Sequence, residues 1–160
     1  MFALAGGVHF QWKPSNCLGY ELSTRWTEQG GTIGPVGALG LAVSVAGLGL
    51  EAVADAQSHA FRKAAGDRSQ LVRTGLWRRS RHPNYLGEIL MWWGVDLVFL
   101  SAFPGQWRLG FGALVNTALF LFISIPLAEK RLATYKADYE AYRDETPMLL
   151  PFSFGRRDRG

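Results

Sequence analysis

Three runs of this chain are apolar enough, and long enough, to cross a membrane as helices: Ile33 to Ala54, Tyr85 to Phe103 and Leu109 to Ala128. A hydrocarbon core about 30 Å thick takes roughly 20 residues of helix. The first run meets Glu51 near its end, the second carries Glu88 near its start and Asp96 further in, and the third holds only Asn116 as a strong polar group. Phe103-Pro104-Gly105-Gln106-Trp107 reads as a tight turn that folds the second and third runs into an antiparallel hairpin, with Trp107 at the interface. Pro126 is placed to kink the last turn of the third run. From Leu127 to Asp144, Leu132, Tyr135, Tyr139 and Tyr142 recur every three or four residues, the period of an amphipathic helix. The pattern predicts an all-α integral membrane bundle of about three transmembrane helices, followed by a cytoplasmic amphipathic C-terminal helix.

Composition sharpens this picture. Of 160 residues 48% are hydrophobic and only 19% charged, which excludes disorder. Nineteen glycines, many inside the apolar runs, suit close helix packing in lipid better than a soluble helix. Between the first two runs, Arg62, Lys63, Arg68, Arg73, Arg78, Arg79 and Arg81 stand against one acid, Asp67. Lys130, Arg131, Lys136 and Arg143 follow the third run. An even number of crossings separates these basic segments, so both are expected in the cytoplasm with the N-terminus outside. Basic residues crowded beside membrane helices are topology determinants or lipid and phosphate contacts, which argues against nucleic acid as a partner. The single cysteine, Cys17, excludes an internal disulfide, and His59 and His82 belong to no spaced ligand set, so no metal site is expected.

Residues 1–32 form an N-terminal segment whose structure the pattern leaves open between an interfacial stretch and a poorly ordered extension. Residues 33–154 form the membrane-embedded domain, and residues 155–160 a basic tail.

Two constellations could carry chemistry. In the first run Ala38, Ala42 and Ala46 make a smooth ridge for a neighbouring helix. Beyond it, Glu51, Asp55 and Arg62 share one helical face, either pairing with arginines of the basic loop or lining a polar site. Denser is Gly75-Leu76-Trp77-Arg78-Arg79-Ser80-Arg81-His82-Pro83-Asn84-Tyr85-Leu86-Gly87-Glu88. Pro83 fits the first turn of a helix, and a helix N-terminus preceded by Arg78, Arg79 and Arg81 attracts an anion such as phosphate. Asn84 and Glu88, one turn apart, then present an amide and a carboxylate that could read a carboxamide or amino group. The alternative is that the arginines are snorkelling topology signals and Glu88 forms a structural pair. Asp96 is read as a helix-to-helix hydrogen-bonding group.

At these residues the chain resembles the C-terminal domain of the steroid 5α-reductase-like family of membrane reductases. The resemblance rests on Glu51 to Gln57 with Phe61-Arg62-Lys63, on Gly75 to Glu88 with Trp92-Trp93-Gly94, and on Leu127 to Leu132 with Tyr139, Tyr142 and Leu150-Pro151-Phe152. These pieces cover roughly three quarters of the chain. The Arg-His-Pro-x-Tyr-x-Gly string by itself also resembles isoprenylcysteine carboxyl methyltransferases and phospholipid methyltransferases.

The reductase resemblance implies NADPH, with Asp55 and Arg62 on its adenosine and phosphate portion and Asn84 and Glu88 on the nicotinamide. It also marks Glu51, Arg81, His82, Tyr139 and Arg143 as cofactor-site positions, with no catalytic residue assigned. The implied activity is reduction of a carbon-carbon double bond in a lipid or steroid-like substrate within the bilayer. Full-length members carry further N-terminal membrane helices, so the chain is expected to be N-terminally incomplete or completed by homo-oligomerisation. The alternatives are an S-adenosylmethionine-dependent membrane methyltransferase and a non-catalytic membrane scaffold.

Overall fold

The computed structural model describes residues 34–65, 69–105, 107, 111–136 and 138–150. The N-terminal segment, Arg68 and the basic tail therefore lie outside the described residues. Among those described there is no strand. The helices are α1 (Pro35–Ala65), α2 (Pro83–Ala102), α3 (Phe111–Tyr135) and α4 (Tyr139–Glu145), with a 3-10 turn at Gly75–Arg78. The first three are long and apolar enough to span a bilayer, as the apolar runs predict.

α1 runs past its expected end. Nothing between Ala54 and Ala65 breaks a helix, and Arg62 and Lys63 sit in the last turn, where cations favour the negative end of the helix dipole. Its full rise is about 46 Å, of which the stretch to Ala54 accounts for about 30 Å. The 3-10 turn folds back onto this level, the Trp77 indole N–H donating to the Ala54 carbonyl at 2.9 Å. The Leu76 amide donates to Gln57 Oε1 at 2.9 Å. Gly75 permits this approach: its φ is +59°, and a Cβ there would strike the Gln57 side chain.

α1 and α2 pack through glycine. Gly40 and Gly47 face Gly94 and Gly87 in antiparallel register, one heptad apart on each helix. A Cβ on Gly87 would sit 2.6 Å from the Glu51 amide nitrogen and from the Gly47 carbonyl oxygen, and one on Gly40 would lie 2.7 Å from the Gly94 oxygen. Ser44 Oγ–H adds a hydrogen bond to the Met91 carbonyl at 3.0 Å. The alanine ridge is corrected by this packing: Ala38, Ala42 and Ala46 are exposed on the opposite side, with Leu39, Leu41 and Val45. Glycine wins the interface because only its lack of a side chain lets the two backbones touch.

α3 meets α2 through polar groups. Asp96 Oδ2 accepts from the Ala113 amide at 2.9 Å, satisfying one of the unpaired donors at the start of α3, so Asp96 bonds helix to helix as its sequence position suggests. Trp93 Nε1–H donates to Thr117 Oγ1 at 3.0 Å. Residues Phe120–Ser124 form a π turn, the Ile125 amide reaching back to Phe120. Pro126 follows directly and has no amide hydrogen, so the ladder is re-registered where the sequence predicts a kink.

The C-terminal amphipathic helix is not continuous. Leu127 to Tyr135 prolong α3, Lys136 is extended (φ −107°, ψ 106°), and α4 starts afresh at Tyr139. The break lets Tyr142 turn inward, where its hydroxyl donates to the Trp77 carbonyl at 2.6 Å.

Candidate functional site at one membrane end

The loop before α2, the end of α3 and α4 converge at one end of the bundle, so the two basic segments lie together as the even-crossing topology requires. The backbone ties the convergence. Arg81 N–H donates to Pro147 O at 2.9 Å and His82 N–H to Met148 O at 3.2 Å, while the Arg73 guanidinium donates to Asp138 O at 2.9 Å.

At its centre is Glu129, which the sequence reading missed. Its Oε1 accepts from Arg81 Nε and Nη2, each at 2.9 Å, and lies 3.3 Å from His82 Nε2. The Arg81 and Glu129 side chains are only 11% and 15% exposed. Arg81 Nη1 donates to the Arg143 carbonyl at 2.6 Å and the Thr146 carbonyl at 2.9 Å. The guanidinium is thus engaged at all three nitrogens by the protein itself, which leaves little of it for the phosphate role its sequence position suggests. Signal for Glu129 was present: a lone acid at the end of a membrane run is a site candidate by default, because ionisable groups there are expensive.

Tyr139 is the most buried aromatic of the cluster, 2% exposed, and among the described residues its hydroxyl makes no hydrogen bond of normal geometry, with Glu129 in electrostatic reach. Burial, reinforced by Glu129, pushes this phenol well above the ordinary range. Burial also pushes Tyr142 up to about 12, against the opposing charges of Arg81 and Arg73. For His82, burial holds the imidazole below its ordinary value, while the bond to Glu129 opposes the shift. Arg143 belongs here only through its carbonyl: its side chain is exposed and pairs with Glu140 at 3.7 Å.

A second group lies on the facing sides of α1 and α2. Glu88 is within electrostatic range of Glu51 and Asp55, and the Trp92 side chain hydrogen-bonds it. Among the described residues no ion pair involves any of these three carboxylates. The pairing of Glu51 and Asp55 with loop arginines, one of the two readings of their shared face, is therefore absent there. Arg62 is exposed two turns beyond Asp55, a rise of about 10 Å, and is not brought into the group. Asn84 is half-buried one turn before Glu88 on α2.

Tyr85 connects the groups. Its ring stacks on His82 (centroids 5.3 Å apart, planes 4° apart) and packs on Phe120 at 4.9 Å, while its hydroxyl end lies within range of Glu88 and Asp55. The site as a whole is rich in carboxylate at its core, and Arg78 and Arg79, which have no ion-pair partner among the described residues, are exposed on the 3-10 turn and its cap.

This arrangement defines a helical membrane protein with a buried polar cluster at one end of its bundle and three carboxylates grouped on two of its helices. Over residues 18–146 the chain matches the family described as protein of unknown function (DUF1295), and it belongs to that family. It is 34% identical over 73 residues to a methanethiol S-methyltransferase of Crocosphaera subtropica, a stretch covering 45% of this chain and 26% of that protein. It is 35% identical over 83 residues to methanethiol S-methyltransferase 2 of Bradyrhizobium diazoefficiens, covering 51% of this chain and 29% of that protein. The match thus spans between a quarter and a third of the length of these relatives. No solved structure matches the chain. Both relatives favour the methyltransferase alternative over the NADPH reductase, and neither is a steroid reductase.

Proposed function

We propose that this chain takes part in methyl transfer from S-adenosylmethionine to the sulfur of a small thiol at the membrane surface. The observation that carries the reading is the similarity to two methanethiol S-methyltransferases, and the charge of the site agrees with it. NADPH brings a diphosphate and a further phosphate, which call for free cations. Here Arg81 is consumed by Glu129 and two carbonyls, Arg78 and Arg79 are exposed on the 3-10 turn, and among the described residues Glu51, Asp55 and Glu88 have no ion-pair partner. A cluster richer in carboxylate than in unpaired buried cation suits a donor that carries a sulfonium and an ammonium better than one that carries three phosphates.

The residues fit that donor on two counts. The partners of Glu129 are all on Oε1, leaving Oε2 for a donor group, and the buried Tyr139 hydroxyl makes no hydrogen bond of normal geometry among the described residues of the same cluster. Glu129 and Tyr139 would hold the donor's ammonium, with Glu51, Asp55 and Glu88 stabilising its positive charge. When bound, the donor supplies an electrophilic methyl group. The chain's own residues position Glu129 through Arg81 and wall the site with Tyr85, with Tyr139 and Tyr142 buried in the same cluster. The basic end of the bundle is assigned to the cytoplasm.

Purified protein in detergent, heated with S-adenosylmethionine or with NADPH, tests this reading. Stabilisation by the former, worth about 2.7 kcal/mol at a concentration a hundredfold above its Kd, is expected. Stabilisation by NADPH alone overturns it in favour of the reductase. For orientation, single cysteines at Thr74 and Glu140 in a Cys17→Ser background should label together, and one at Gly105 from the opposite side.

A further inference from the structure

We propose that His82 is the proton acceptor of this reaction, its Nδ1 taking the thiol proton while Glu129 holds the ring by Nε2; the role rests on the thiol methyl transfer proposed above. A neutral imidazole has one N–H and one lone pair. Glu129 is fixed as a carboxylate acceptor by two N–H groups of Arg81, and its Oε1 lies 3.3 Å from His82 Nε2. That contact assigns the hydrogen to Nε2 and the lone pair to Nδ1. Among the described residues Nδ1 makes no hydrogen bond, and the His82 side chain keeps 5% of its surface exposed.

The ring and the backbone that carries it are held at further points. Its face stacks on Tyr85. The His82 amide donates to Met148 O and lies 3.2 Å from Ser80 Oγ, and its carbonyl accepts from Leu86 N–H at 3.1 Å. The charged or titratable groups around it are Glu129 from α3, Arg81 on its own loop, Tyr85 from α2 and, behind Glu129, Tyr139 from α4. Burial keeps the imidazole neutral near pH 7, so the lone pair is present when a thiol arrives.

A thiol needs such an acceptor because the thiolate is the nucleophile and a simple alkyl thiol is mostly protonated at neutral pH. The thiol sulfur gives its proton to Nδ1 and forms the new S–C bond to the methyl group. The sulfonium C–S bond breaks, its electron pair staying on the departing thioether, and the proton passes from Nδ1 to water. Atoms and charge balance with no further reactant.

The test compares wild-type protein and His82→Gln on two thiols with S-adenosylmethionine as donor. One is an alkyl thiol, the other an aryl thiol already ionised at the assay pH. His82→Gln is expected to lose about a hundredfold or more in kcat/KM with the alkyl thiol and less than about tenfold with the aryl thiol. Equal losses with both overturn the role of His82 alone, whereas wild-type protein that methylates neither thiol overturns the methyl-transfer reading as well. Independently of turnover, nitrogen-15 spectra of histidine-labelled protein, with the His82 signal identified by its loss in His82→Gln, should show protonated Nε2 and bare Nδ1 near pH 7. The Nδ1–H tautomer overturns the proposal.

Discussion

The bundle holds together in two different ways at two places. Between α1 and α2 the seam is backbone against backbone, Gly40 and Gly47 on Gly94 and Gly87, with one serine hydrogen bond. At the membrane end the joint is built from buried polar groups, Glu129 with Arg81 and His82, tied to the carbonyls that end α4. The first joint has no chemistry to offer and tolerates nothing larger than hydrogen. The second is costly to desolvate and holds the groups that could act on a ligand. In lipid, dispersion and close approach suffice for adhesion. A polar joint in the same molecule therefore points to function, because it is the more expensive way to fasten two helices.

Removing one partner of the polar joint should have the largest effect. Arg81→Met leaves Glu129 buried without its cation and should cost about 3–5 kcal/mol in denaturant unfolding in detergent; a loss below about 1 kcal/mol would show that water already pays for that charge. At the glycine seam, Gly94→Val forces the backbones apart and should cost about 1–3 kcal/mol in the same assay. Gly49→Ala, where a Cβ meets nothing within 4 Å, is the control and should lose no stability. If the two glycines respond alike, the seam does not depend on contact.

The two tyrosines of α4 sharpen the contrast within the polar joint. Tyr142→Phe removes a 2.6 Å hydrogen bond to Trp77 O and should cost about 1 kcal/mol. Tyr139→Phe removes a buried hydroxyl that makes no hydrogen bond of normal geometry among the described residues, so it should change stability by less than Tyr142→Phe while weakening donor binding. The smallest effect is that of pH. Burial lowers the His82 pKa below its ordinary 6.5, so the unfolded chain binds the proton more readily. The contribution of His82 is therefore complete above pH 6.5, declines as pH falls below it, and stops declining beneath the folded-state pKa. The unfolding free energy of wild-type minus His82→Gln protein, followed from pH 7.5 to about 5, should show that slope.

Much of the fold was legible because membrane helices are written as uninterrupted apolar length. The spans, their hairpin and the gathering of basic charge at one end all follow from that one property. Legibility failed where several residues satisfied the same rule. Ala38, Ala42 and Ala46 are as small and as regularly spaced as a packing ridge requires, yet Gly40 and Gly47 form it, since the choice depends on which face α2 presents. The amphipathic period from Leu127 to Asp144 was real, but Lys136 divides it because Tyr142 finds a better partner in the loop than in continued helix. Within the site, Glu51 and Asp55 share one helical face on paper, and in space Glu88 of α2 comes within electrostatic range of both. Arg62 shares the face but not the neighbourhood, because two turns of helix carry it out of reach.

By itself, the order of residues determined that three helices enter lipid, that charge gathers at one end, and that Pro83 opens α2 beside a histidine and three arginines. Those are consequences of transfer energies and backbone geometry, which act residue by residue. Tertiary packing is what sets Arg81 on Glu129, makes Arg143 contribute a carbonyl rather than a charge, and turns His82 Nε2 toward Glu129. Such outcomes depend on which donor meets which acceptor across some fifty to sixty intervening residues. A local pattern cannot specify that meeting, because the energy of a hydrogen bond belongs to a distance and not to a residue type.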